Sequence, residues 1–176
     1  ACRLSREKGI LELPDIYRQA RVRVPDLRLV IAGVGPDEDA LKQACPDALF
    51  LGWVDRQRIA LLYAGLDLFV FPSRFDTFGN VILEAFTQGM PVVSYDCKGP
   101  KDIIQHGRNG YLVDTQAAMV QAIVGHFEQR QRHADMAEAA RVRVRDYAAE
   151  PIMQRFLEQL GLAAETGDVA QPAAKV

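Results

Sequence analysis

Short, continuously apolar runs alternate with stretches of helical periodicity along this chain, and no other feature limits its fold as much. The runs fall at 27–32 (LRLVIA), 49–51, 66–71 (LDLFVF), 91–95 (PVVSY) and 111–113. Between them, helical patterns occupy about 10–24, 37–45, 56–64, 79–89, 100–106 and 115–147. Short runs rich in Val, Ile and Leu are strands buried on both faces. Their alternation with helices predicts an α/β fold with a parallel, doubly wound, Rossmann-like sheet. Such sheets bind ligands beyond the carboxyl ends of their strands. The loops to watch are therefore 5–9, 33–37, 52–55, 72–79 and 96–100, where glycine recurs and allows close backbone approach.

At 176 residues the chain holds one domain with a real core and a short appendage. We expect the domain to span 1–162 and the tail 163–176 (AAETGDVAQPAAKV) to be disordered. The net charge of −2 offers no electrostatic reason to expect nucleic acid as a partner. Basic clusters at 18–28 and 141–145 read as solvated helix faces. Cys2, Cys45 and Cys97 are scattered with no CxxC, which disfavours a disulfide framework and fits a reducing compartment. No apolar run approaches the ~18 residues that span a bilayer, and signal-peptide character is absent. The expectation is a cytoplasmic protein. Ala1-Cys2-Arg3-Leu4 reads as the end of a strand, which suggests a piece of a longer chain.

The richest passage is 73–93, SRFDTFGNVILEAFTQGMPVV. Asp76 precedes a helix, and Glu84 sits among Val81, Ile82, Leu83, Ala85 and Phe86. A carboxylate in apolar surroundings is costly without a partner, so we expect a ligand near it. If Thr77 caps the helix, the amides of Phe78, Gly79, Asn80 and Val81 are its unsatisfied donors. A helix start of this kind suits phosphate, with Gly79 leaving room for the anion. The same residues are equally readable as a capping acid and a satisfied half-buried glutamate.

Other constellations are weaker alone. Arg3 and Lys8, in RLSREKG, can neutralise a diphosphate without metal, with Gly9 letting the chain turn nearby. Gly33-Val34-Gly35-Pro36 lacks the third glycine of a dinucleotide fingerprint, so a tight turn into a helix is the better reading. Lys98-Gly99-Pro100-Lys101 can present amides and charge to a ligand. His106, His126 and His133 have no metal spacing and read as surface residues. Trp53 is expected to pack, with the wall of a base pocket as the alternative. No Ser-His-Asp set, HExxH or P-loop is present.

In order and spacing these pieces resemble the donor-nucleotide half of the retaining glycosyltransferases that include glycogen and sucrose synthases and bacterial mannosyltransferases. The resemblance runs through Arg3-Leu4…Lys8-Gly9, Gly33 to Pro36 and Phe50-Leu51-Gly52-Trp53-Val54. It continues through Leu62-Tyr63…Asp67-Leu68-Phe69-Val70-Phe71-Pro72-Ser73, then Asp76…Glu84-Ala85…Gly89…Pro91-Val92-Val93, and reaches Gly107…Gly110. It departs from the family pattern in two places: Asp76 stands for the usual Glu, and Cys2 for a glycine.

The resemblance implies one half of a two-domain B-type enzyme. An N-terminal acceptor-binding domain would be missing and the active site would lie in the cleft. It implies Arg3 and Lys8 on the diphosphate, Asp76 on the transferred sugar and Glu84 on the ribose. Backbone at Phe78, Gly79, Asn80 and Val81 would meet phosphate and sugar hydroxyls, Val54 the base edge, and Gly35 would lie in the donor loop. It further implies a nucleotide-diphosphate sugar as substrate and no cofactor, metal-independent transfer with retention, and polysaccharide or lipopolysaccharide synthesis with peripheral membrane contact. A non-catalytic nucleotide-sugar module and a nucleotide-sugar epimerase of related fold are the alternatives.

Overall fold

The computed structural model describes residues 2–148, so the expected domain limit at 162 and the tail 163–176 lie outside the described residues. One compact unit ends at Val144. Five strands form: β1 (Val30–Ala32), β2 (Leu49–Gly52), β3 (Phe69–Phe71), β4 (Val92–Tyr95) and β5 (Gly110–Val113). β1 pairs with β2, and β3, β4 and β5 form a second ladder. Every pairing is parallel, as the apolar alternation predicts.

Helix α1 (Leu13–Arg23) precedes β1; α2 (Glu38–Ala44), α3 (Arg56–Gly65), α4 (Asn80–Thr87) and α5 (Pro100–Ile103) connect consecutive strands; α6 (Gln116–Glu128) and α7 (His133–Arg145) follow β5. Val93 and Tyr95 of β4 point into a cluster with Ile16 and Ala20 of α1 and Met119, Val120 and Ile123 of α6. Alternate residues of a strand face opposite ways. Val92 and Ser94 therefore face the other layer, where α4 packs on β4 and α3 on α4. A second cluster joins Leu4, Ile10, Leu13, Ile31 and Leu41. Val70 of β3 touches both clusters. Each fully buried side chain of this kind contributes about 1.5–3 kcal/mol.

Two expected elements change. The single helix over 115–147 is two helices, interrupted by a 3-10 turn at Arg130–Arg132. Buried Met119, Val120, Ile123 and Val124 hold α6 to the sheet, and Met136 and Ala140 hold α7. Between them EQRQRHAD supplies no large apolar side chain to keep one continuous helix on a core. The helix expected to reach 106 stops at Ile103, because the buried Asn109 side chain accepts the Gln105 amide at 2.8 Å and turns the chain. Burial on both faces holds for β4, whereas β2 is partly exposed, with Leu49 open to solvent.

Candidate functional site

The loops after the strands converge through glycines that have no room for a side chain. Residues 2–4 run beside the end of β1: the Cys2 amide donates to Ala32 O at 3.3 Å and the Leu4 amide to Val34 O at 3.0 Å. A Cβ on Gly35 would stand 2.2 Å from Leu4 O, so the 33–36 loop lies directly on this segment. Asp37 fastens it further, accepting the Arg6 amide at 2.9 Å. A short 3-10 turn, Arg6–Lys8, ends at Gly9 with φ 67°. There a Cβ would stand 2.0 Å from Pro72 O. Only glycine lets this turn reach the loop that leads into α4.

The consequence is an ion pair across the chain. Lys8 Nζ lies 3.0 Å from Asp76 Oδ2, with both side chains partly buried. Asp76 Oδ1 accepts the amides of Phe78 at 3.1 Å and Gly79 at 2.7 Å. Burial pushes the Asp76 carboxyl up, but the Lys8 ammonium and the two amides outweigh it and hold it below the usual carboxylate range.

Several expectations change here. Thr77 is not the cap: α4 begins at Asn80 behind Gly79, whose φ is 86°. The amides of Phe78 and Gly79 serve Asp76 and are not unsatisfied donors. Those of Asn80 and Val81 have no protein acceptor among the described residues. Gly79 does not open a path for an anion, since its Cα faces Ile82 and Ile103, whose methyls would lie 3.1 and 3.2 Å from a Cβ. Glu84 is exposed, not embedded in apolar surroundings. Ile82, Ala85 and Phe86 take the buried face of α4 and leave position 84 outside. Position along a helix, not the identity of sequence neighbours, decides burial.

The α4 entry loop is braced from several directions. The buried Ser73 hydroxyl lies 2.9 Å from Phe75 O and 3.3 Å from Glu7 O. The Arg74 guanidinium sits over the Tyr95 ring, 3.7 Å from its centroid, and bonds Glu12 at 3.2 Å. The Tyr95 hydroxyl donates to the same Glu12 carboxylate. Burial first, and then Glu12, pushes the Tyr95 phenol up. Gly99 closes the far side, where a Cβ would stand 3.1 Å from Asp76 O and Phe78 N. Sequence reasoning missed Glu12, Arg74 and Tyr95, because these partners are separated by 62 and 83 positions and carry no local signal.

Arg3 is exposed beside the Lys8 turn, and Val54 lies half-buried in the loop after β2. Lys98 and Lys101 are exposed. Trp53 does not pack: it is 75% exposed, and Val34, Phe75 and Phe78 are exposed with it on loops after strands. Phe75 and Phe78 thus flank Asp76 in the chain with exposed rings. Nor is every histidine superficial. His126 is buried and stacks on His133, ring centroids 3.9 Å apart. It continues the inward stripe of Met119 and Ile123 on α6. Burial, helped by His133, lowers its pKa to about 4. Among the described residues no group of three or more His, Cys, Asp or Glu side chains is arranged to hold a metal.

Residues 1–129 match the family described as Glycosyl transferases group 1. The chain belongs to the group 1 glycosyltransferases. It is 35% identical over 158 residues to the GDP-mannose-dependent alpha-mannosyltransferase of Corynebacterium glutamicum, covering 89% of this chain and 37% of the relative. It is 33% identical to the lipopolysaccharide core biosynthesis glycosyltransferase LpsE of Rhizobium meliloti, covering 81% and 44%. The crystal structure of Anabaena HepE in complex with UDP superimposes with TM-score 0.78 at 28% identity, over 91% of this chain and 47% of that one. The pneumococcal O-GlcNAc transferase GtfA shares the fold, with TM-score 0.77 at 22% identity. The chain therefore spans less than half the length of each of these relatives.

Proposed function

We propose that this chain supplies the donor-binding half of a retaining glycosyltransferase that uses a nucleotide-diphosphate sugar. The observation that carries the reading is the Lys8–Asp76 pair, 3.0 Å across, at the start of α4 where the Asn80 and Val81 amides lack protein acceptors. A diphosphate arriving there meets the positive end of the helix and an ammonium already in place. Lys8 leaves or shares Asp76 to hold the phosphates, with Arg3 beside it. Asp76, kept ionised by its two amide donors, turns its second oxygen to a sugar hydroxyl. Glu84, exposed one turn into α4, takes the ribose, and backbone near Val54 takes the base edge.

The reaction breaks the bond between the anomeric carbon and the diphosphate, so catalysis rests on stabilising charge on the leaving group. Lys8, Arg3 and the helix amides do that without a metal ion. The exposed rings of Phe75 and Phe78, on either side of Asp76 in the chain, suit stacking on the base or sugar, or cover by an acceptor-binding domain. The likeness to LpsE, a lipopolysaccharide core biosynthesis glycosyltransferase, supports a saccharide acceptor in envelope polysaccharide assembly; we place the enzyme at the inner face of the cytoplasmic membrane. No helix among the described residues is long and apolar enough to cross a membrane.

The test is titration of Glu84→Gln with a nucleoside diphosphate and with its 2′,3′-dideoxy analogue. The unaltered chain should prefer the ribose form by about tenfold, and the variant should lose that preference. A preference that survives the substitution removes Glu84 from the site.

A further inference from the structure

α7 turns arginines onto the ends of α4 and α5. Met136 and Ala140 are its buried residues, and Arg143 follows them at helical spacing, half-buried on the same face. The Arg143 guanidinium donates from Nε to Ile103 O at 3.0 Å and from a terminal nitrogen to Asp102 O at 2.6 Å. Both carbonyls belong to the last turn of α5, where a helix has no amide of its own to offer them. A cation with a planar fork of donors suits both at once. Arg141 treats the other helix alike, donating to Gln88 O at the end of α4 at 3.3 Å, with its guanidinium lying over Gly89.

The two caps differ in what stands behind them. α5 is a single turn, held by the Asp102 amide on Gly99 O at 3.0 Å and the Ile104 amide on Pro100 O at 2.8 Å, so its two ends move together. Both ends press on the Asp76 loop. At the start, Gly99 has no room for a side chain, because a Cβ there would stand 3.1 Å from Asp76 O and Phe78 N. At the end, a methyl of Ile103 would stand 3.2 Å from a Cβ on Gly79. The peptide groups they touch include the Phe78 and Gly79 amides that donate to Asp76 Oδ1. Arg143 thus bonds the carbonyl of the very residue that packs under Gly79. The Arg141 cap instead lies at the far end of α4, about two turns from that loop.

We propose that Arg143 is a positioning residue for the Asp76 loop, acting through α5. By tying the end of that turn it fixes Gly99 and Ile103, and through them the two amides that hold one Asp76 oxygen while the other faces Lys8. Groups that orient a charged side chain from behind set its geometry without meeting the ligand. On the donor-site reading of this loop, on which the binding consequence rests, Arg143 raises affinity for a diphosphate that it never touches. A cap that only steadied α7 would change stability and leave the Phe78 and Gly79 amides as they are.

The test compares Arg143→Met, which keeps the stem and removes the donors, with Arg143→Lys, which restores a charged donor, and with Arg141→Met. Amide hydrogen exchange and the titration of the Asp76 carboxyl are followed by NMR without ligand, and exchange is read relative to the β4 amides so that a global loss of stability cancels. In Arg143→Met the Phe78 and Gly79 amides should exchange about tenfold faster. The Asp76 pKa should rise by about half a unit or more towards the ordinary carboxylate value, as its amide donors loosen. Arg143→Lys should recover most of both changes, and Arg141→Met should show neither, even where it lowers the melting temperature as much. Unchanged amides and an unchanged Asp76 in Arg143→Met overturn the proposal, and so do equal changes in Arg141→Met. If Arg143→Met fails to fold, Arg143→Gln, with one amide donor left, must show the same changes at smaller size, and their absence overturns the proposal too. A final titration with a nucleoside diphosphate separates the two readings: an unaltered chain that binds none defeats the donor site, while the ligand-free measurements still decide the role of Arg143.

Discussion

Lys8 and Asp76 stand 68 positions apart and meet at 3.0 Å, and the charge balance of the site follows from that contact. Without a ligand the two charges cancel, so a diphosphate at the proposed site would have to change the pairing of Lys8. Asp76→Asn keeps the shape but removes the charge that Lys8 and two amides stabilise. It should cost about 1–2 kcal/mol in urea unfolding at neutral pH. The Asp76 pKa is lowered by folding, so its contribution is complete above the unfolded value of about 3.9 and fades as pH falls below it. The deficit of the Asn variant should therefore shrink below about pH 4. His126 acts in the same sense through a different charge state. Its folded pKa, about 4, lies below the ordinary histidine value, so the unfolded chain binds the extra proton first. Stability should decline as pH falls from about 6.5 towards 4, and His126→Phe should flatten that slope in denaturation curves taken across the range.

At the scale of elements, the site depends on backbone approach more than on side chains. Gly9 has φ 67° and would place a Cβ 2.0 Å from Pro72 O, so Gly9→Ala must move the Lys8 turn away from the α4 loop. We expect a loss of about 2 kcal/mol or more of stability, with a weakened response to diphosphate. A surface change such as Arg108→Ala should leave both within error. This is also where legibility in the sequence divides. The strands and most helices were legible because apolar periodicity is a local signal, and the break between α6 and α7 lay in a polar stretch that periodicity alone ran through. The loops holding Lys8, Gly35, Val54 and Asp76 were legible from their places after strands. The pairing of Lys8 with Asp76 was not, nor was the brace of Glu12, Arg74 and Tyr95, because long-range partners leave no trace in spacing. Glu84 misled for a related reason: its sequence neighbours are apolar, but they occupy a different face of α4.

For the whole molecule, the parallel ladders, the family match over residues 1–129 and the HepE likeness describe the same parallel α/β architecture of a glycosyltransferase domain. The chain covers 37% of its corynebacterial relative, so complete transfer is expected only with the remainder of such an enzyme, while the donor site proposed here lies on this chain. That division makes binding, not turnover, the decisive property. The measurement to make first is calorimetric titration with UDP, GDP and ADP, with and without magnesium, on the unaltered chain and on Lys8→Met. One diphosphate should bind without magnesium, and Lys8→Met should weaken it by about tenfold or more while the matching nucleoside is unaffected. Equal loss for diphosphate and nucleoside, or binding only with magnesium, would contradict a metal-free diphosphate site built on Lys8 and the start of α4.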